Sequence, residues 1–164
     1  MGAGDEMVEV VDEDDRVVDV VTRRRVRAEN LRHRAVFVVV VASDGRVLIH
    51  RRSDEKDLWP GRWDLAAGGV VGVGEPYDEA ARRELAEELG IDAEPSLLGP
   101  YTYEDGAVRS VGRVYRAVHD GEVSFRDGEV VEACWVTRDE LRSRLERDSW
   151  VGDSPAVVLP HLGD

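Results

Sequence analysis

The longest unbroken apolar stretch of the chain, Ala35–Ala42, has eight residues between Arg34 and Ser43. A continuous run of that length is the mark of a strand buried on both faces, and it is far too short to cross a bilayer as a helix. The polar turn Ser43-Asp44-Gly45-Arg46 follows, and then Val47–Arg52, so Arg34–Ala42 and Val47–Arg52 predict a hairpin. Met7–Val11 and Val17–Val21 flank an acidic turn and predict a second, N-terminal hairpin over 7–21. Thr22–Leu31 is Arg-rich and reads as weakly helical or irregular. A polar loop runs from Ser53 to Trp63, where Pro60 and Gly61 end any helix.

The strongest helical pattern is Pro76–Leu89, with Ala81, Leu85 and Leu89 as its apolar stripe. Pro76 suits the first helical position and Gly90 the C-terminal stop. Leu97–Tyr103 and Val108–Val118 read as strands and Cys134–Val136 as a short one. Arg138–Arg147 reads as a second helix, with acids early and arginines late, as the helix dipole prefers. The last dozen residues predict no definite element. Strands before, between and after two helices predict an α/β or α+β fold, and the 164 residues predict one domain with its core over about 31–147.

Charge narrows the function. The chain has 22 Lys and Arg against 35 Asp and Glu, a net charge of −13, which argues against a nucleic-acid polymer as partner. Lys56 is its single lysine, and Cys134, its single cysteine, predicts a small core residue and no internal disulfide. The first ten residues contain neither a basic segment nor an apolar one. They predict no signal peptide, no membrane and a cytoplasmic protein.

On Pro76–Leu89, Glu84 and Glu88 are one turn apart, and Glu87 lies beside them. Like charges at that spacing destabilise a helix by a few tenths of a kcal/mol, and more when partly buried. A hard divalent cation with oxygen ligands would relieve them. From the helix alone, a solvated acidic face balanced by Arg82 and Arg83 is the simpler reading.

The surrounding residues change that balance. Residues 69–91 read Gly69, five residues, Glu75, seven residues, then Arg83-Glu84-Leu85-Ala86-Glu87-Glu88-Leu89-Gly90-Ile91. The stretch resembles the Nudix box, G-x5-E-x7-R-E-U-x-E-E-x-G-U, at every fixed position. The resemblance implies an α/β/α sandwich around a mixed sheet, and hydrolysis of a nucleoside diphosphate derivative or related organic pyrophosphate. It also implies Mg²⁺, with Mn²⁺ as the substitute. Glu84, Glu87 and Glu88 are then the metal ligands, and Gly69 can add its carbonyl. Glu87 helps to activate water, and Arg83 pairs with Glu75 to hold the loop and orient the ligands. Such domains often pair as homodimers, and no surface stripe here decides that.

Upstream, residues 33–64 resemble a narrower Nudix branch that includes isopentenyl diphosphate isomerase, through His33, Arg51-Arg52, Lys56, Trp59-Pro60-Gly61 and Trp63. Lys56 is a candidate for a substrate phosphate. Arg51 and Arg52 point to opposite faces of a strand, so one of them faces the substrate, and Arg51 is taken as the candidate. The isomerase reading needs a Cys and a His just after the Trp63 stretch, where Asp64-Leu65-Ala66-Ala67-Gly68-Gly69 has neither. It stands as the alternative, together with a nucleotide-sensing domain that does not turn over. A further acid from beyond the box is sought among Glu129, Glu132, Glu104 and Asp105. Trp59, Trp63 and Trp135 could stack on a base, with core packing as the simpler reading.

Overall fold

The computed structural model of the chain describes residues 2–163, so Met1 and Asp164, the ends of the expected 1–164 domain, lie outside the described residues. The N-terminal hairpin is β1 (Met7–Val11) and β2 (Val17–Thr22), and α1 (Arg23–Glu29) follows. The central strands are β3 (Arg32–Val41) and β4 (Val47–Arg52), then the short β5 (Trp63–Asp64) and β6 (Ala67–Val70). Helix α2 (Tyr77–Leu89) precedes β7 (Ser96–Glu104), β8 (Arg109–Val118) and β9 (Val130–Val136). Helices α3 (Arg138–Arg147) and α4 (Asp153–Leu162) complete the described chain.

β3 organises the mixed sheet. It runs parallel to β8 over its whole length, from Arg32 opposite Arg109 to Val41 opposite Val118. Its other edge is antiparallel to β6, from Ala35 opposite Val70 to Val38 opposite Ala67. β1 touches the same edge at His33, and β7 lies on the far side of β8. β4 turns back from β3 and pairs with β9 and β5.

The apolar run now has its physical reason. Val36, Val38 and Val40 pack under α2 against Ala81, Leu85 and Leu89. Phe37, Val39 and Val41 face the opposite way, against Leu141 of α3 and Val157 and Val158 of α4. A strand with helices on both faces has no side free for polar residues, and each fully buried valine contributes about 1.5 kcal/mol or more. The architecture is the expected helix–sheet–helix sandwich. Among the described residues no helix is long and apolar enough to cross a membrane.

Several elements differ from their expected limits. Thr22 accepts a bond from Arg25 N–H and Val26 is buried, which together make the Arg-rich segment a helix with Asn30 as its left-handed stop. Pro76 is the residue before α2, with ψ 148°, rather than its first helical residue. β9 begins at Val130, four residues earlier than its apolar core suggests, because it is paired along β4. The undecided C-terminal stretch is helix α4. Its Pro155 falls in the first turn, where the missing N–H has no intrahelical partner to lose. Thr137 and Glu140 form a reciprocal cap, and α3 starts where the charge pattern places it.

Candidate active site

Helix α2 and β6 build the site together. Glu84 and Glu88 lie on the buried side of α2 and are only 9% and 7% exposed, whereas Glu87 reaches solvent. β6 comes this close because Gly68 and Gly69 carry no side chain. A Cβ on Gly69 would stand 2.6 Å from Glu84 Oε1. Gly68 N–H donates to Glu88 Oε2 at 3.3 Å, and Glu88 has no ion pair among the described residues.

Arg83 clamps the loop to the helix. Its Nε and Nη2 donate to the two oxygens of Glu75 at 2.8 and 2.9 Å, a bidentate pair. Nη2 also reaches the Val70 carbonyl at 3.3 Å, and Nη1 donates to Glu84 at 2.8 Å and Glu87 at 3.2 Å. Glu75 in turn accepts from Gly72 N–H at 2.9 Å. Arg83 is thus a positioning residue, holding Glu75, Glu84, Glu87 and the loop carbonyl in one arrangement. Lysine at this position keeps the charge and loses the fork. Arg83→Lys is expected to lower kcat by roughly ten- to a hundredfold if these carboxylates hold a cation, the range for groups that orient metal ligands. A Mg²⁺ titration of activity checks it: the variant should need more metal for half-maximal rate, and an unchanged requirement would count against the clamp.

Electrostatics single out the same carboxylates. Burial pushes Glu84 up to about 7 against the pull of Arg83, with Glu87 and Glu129 adding to the rise. Burial also raises Glu88 well above the ordinary carboxylate range, and Glu84, Asp64 and Glu129 push it further. Glu75 is held below its ordinary value, first by its bonds from Arg83. Two buried acids that resist ionisation are a site prepared for positive charge. Among the described residues no three acidic, His or Cys side chains already converge on one point, and an Arg83 N–H stands between Glu84 and Glu87.

Arg83, Glu84, Glu87 and Glu88 line a cleft of about 410 Å³ that also contains Gly69, Lys56 and Glu129. Lys56 Nζ donates to Glu129 Oε1 at 2.9 Å, so the lone lysine and one of the four further acids meet beside Glu84 and Glu88. The other three lie elsewhere. Glu132 is bonded to Arg51, Glu104 pairs with Arg32 and Arg109, and Asp105 closes its own turn through Ala107 and Val108 N–H.

The Arg51 expectation needs correcting. Arg51 sits opposite Glu132 on β9, donates to it at 2.6 Å, and is not part of the cleft wall. Arg52 takes that place: the strand alternates faces, and Arg52 is the neighbour that turns inward. Of the tryptophans, Trp59 lines the cleft with a left-handed backbone (φ 49°). Trp63 is covered by the Arg144 guanidinium at 4.4 Å. Trp135 packs at the edge of the core under α2. His33 borders the cleft, its ring nitrogen 3.0 Å from the Leu31 carbonyl, and burial lowers its pKa.

Sequence reasoning missed Asp64, Asp153, Arg23 and Arg27, all of which line the cleft. Asp153 is pushed up to about 7 by burial and then by Asp64. One signal was present for the arginines: Arg23 and Arg27 are spaced one helical turn apart. Asp64 and Asp153 carry none, because each gains its place only from the pairing of a two-residue strand or the start of an uncapped helix.

Comparison with known proteins gives the family and the fold. Residues 31–157 match the NUDIX domain. An uncharacterized Nudix hydrolase of Streptomyces coelicolor is 42% identical over 156 residues, covering 93% of this chain and 86% of that one. A second, from Yersinia pestis, is 39% identical over 142 residues, covering 86% and 78%. Among solved structures, DR0079 from Deinococcus radiodurans superimposes with a TM-score of 0.78 at 30% identity, covering 90% of this chain and 94% of that one. The MutT protein of Methanosarcina mazei Go1 follows the fold with a TM-score of 0.62 at 26% identity, covering 73% and 84%.

Proposed function

The chain belongs to the Nudix hydrolase family, and from that premise we propose that it cleaves the diphosphate linkage of a nucleoside diphosphate derivative or related organic pyrophosphate with Mg²⁺. The observation that carries the reading is the pair Glu84 and Glu88. Two buried carboxylates one turn apart, one of them with no ion pair, burden an apo protein, and a hard cation removes that burden. The donors fit such a cation: carboxylate oxygens from Glu84, Glu87 and Glu88, and a glycine at 69 whose missing side chain leaves the carboxylates room. Mn²⁺ takes the same oxygen donors.

A bound Mg²⁺ would supply charge for the phosphoryl oxygens and a water more easily deprotonated. The chain's own residues do the rest. Arg83 and Glu75 keep the three carboxylates in place, as derived above. Glu87, the most exposed of the three, takes a proton from the attacking water in this reading. Lys56 is placed to meet a phosphate oxygen once it leaves Glu129, and Glu129 is then free to join the other acids. The partner is a small diphosphate molecule, not a nucleic-acid polymer.

A panel of nucleoside diphosphates, their derivatives and isopentenyl diphosphate, each with Mg²⁺ and with EDTA, tests this. Release of phosphate or nucleotide with Mg²⁺ alone is the expected outcome. No dimethylallyl diphosphate should form, because Asp64–Gly69 offers neither Cys nor His for the allylic shift. Allylic product would favour the isomerase, and binding without turnover would favour a sensor.

A further inference from the structure

The cleft also gathers cations among its acids, and two of them, Arg23 and Lys56, already donate to Glu6 and Glu129. Arg23 and Arg27 of α1, Arg52 at the end of β4 and Lys56 line it, in a chain whose net charge is −13. Two of these guanidinium groups have spare donors. Arg27 Nη1 and Arg52 Nε are buried and lack a hydrogen-bond partner among the described residues. Each guanidinium is ion-paired through another of its nitrogens, Arg27 Nε with Asp57 at 3.7 Å and Arg52 Nη1 with Asp64 at 3.6 Å, and these two N–H groups stay free of hydrogen bonds. Burial weakens Arg27's hold on its proton against the pull of Asp57 and Asp153, and the neighbouring Arg23 and Arg52 add to the weakening. Gathered cations with desolvated, unused N–H groups are unfavourable until an anion arrives.

We propose that Arg27 and Arg52 receive the terminal phosphate of the substrate, so that the enzyme selects diphosphates with one free end over diphosphates esterified at both ends. The proposal rests on the hydrolase reading above and narrows it. A terminal phosphate carries nearly two charges at neutral pH and three free oxygens. An internal one carries a single charge and two free oxygens. Spare donors on two different elements, α1 and β4, match the richer acceptor, because each arginine can take an oxygen of its own. The carboxylate wall cannot make that distinction, since a metal there meets phosphoryl oxygens in both kinds of substrate.

ADP and diadenosine diphosphate share base and sugar and differ in whether the second phosphate is free. Wild type is expected to favour ADP in kcat/KM by at least about tenfold, the scale of one charged hydrogen bond. Arg27→Gln and Arg52→Gln should each reduce that ratio by about fivefold or more. Should a Gln variant fail to fold, Arg27→Lys and Arg52→Lys keep the charge, lose the fork and are read in the same way. Calorimetric binding of both nucleotides to Glu88→Gln in Mg²⁺ gives a readout independent of turnover. Equal handling of the two nucleotides, or a full ratio retained in the arginine variants, overturns the terminal-phosphate assignment and leaves diphosphate hydrolysis standing. Absence of turnover with the binding preference intact refutes the hydrolase reading and keeps the arginine site. Absence of both preference and turnover refutes the two together.

Discussion

Glu84→Gln and Glu88→Gln are each expected to lose at least about a hundredfold in kcat, the scale of a lost electrostatic catalytic group. Both changes keep the shape and polarity of the side chain and remove one anionic oxygen donor from a cation site. Their effect on the apo protein should run the other way. Burial raises both carboxyls, Glu84 to about 7 from an ordinary 4.5, so the folded state holds protons that the unfolded chain has released. Stability of the apo wild type should therefore fall as the pH climbs from about 4.5 through about 7. Glutamine has no proton to release. The variants should match wild type near pH 4 and melt at the same or a higher temperature at pH 8, in EDTA. Mg²⁺ should raise the melting temperature of wild type by mass action and that of the variants less. An acidic face with no role in metal binding predicts variants of ordinary activity and no stabilisation by metal. Hydrolysis and melting curves with Mg²⁺ and with EDTA distinguish the two accounts, and ordinary activity in both variants would remove the metal assignment.

How much of this was legible depended on how local the signal was. The Ala35–Ala42 run announces a doubly covered strand, because two helix layers leave it no polar face. Helix α2 is legible because its apolar period and its Gly90 stop agree, and α3 because its first-turn acids and last-turn arginines match the helix dipole. Glu84, Glu87 and Glu88 share one helix arc, so their proximity follows from spacing alone. The meeting of Arg27 with Arg52 was not legible, for the opposite reason. Arg27 and Arg52 are 25 positions apart on a helix and a strand, and only the closure of the sheet brings them to one cleft. The choice between Arg51 and Arg52 was undecidable from alternation, which says that they differ and not which one faces in. It is settled by Glu132, which stands directly opposite Arg51 on β9 and holds it on the outer side. Helix α4 was hidden because its segment contains Pro155 and Pro160 and follows Gly152, residues that do not favour a helix interior. Gly152 stands just before the helix and Pro155 falls in its first turn, where neither costs a hydrogen bond, and Pro160 lies inside it and removes one near its C-terminal end.

Gly68→Ala is expected to cost about 3 kcal/mol, the upper end of ordinary overpacking, and to lower the melting temperature by roughly 6–12 °C in a chain of this size. Gly68 lies opposite Phe37 in the β3–β6 pairing. A methyl group there would stand 2.1 Å from the Val36 carbonyl oxygen, 3.1 Å from its carbon and 3.3 Å from Phe37 Cα. All three are backbone atoms of a strand paired on both edges, so none can give way as a flexible side-chain tip would. β6 must move instead, and it carries the site with it. The Gly68 N–H that meets Glu88 and the bare Cα of Gly69 under Glu84 both belong to this strand. A displacement near 1 Å at such positions costs on the order of a hundredfold in rate, so activity should fall together with stability. Gly106→Ala is the control: a Cβ there meets nothing within 4 Å, and the substitution should leave melting and hydrolysis unchanged or slightly improve stability. Thermal melting and kcat of the two variants, measured side by side, decide the matter. If Gly68→Ala melts with wild type, the close approach of β6 to β3 is not what holds Glu84 and Glu88 in place.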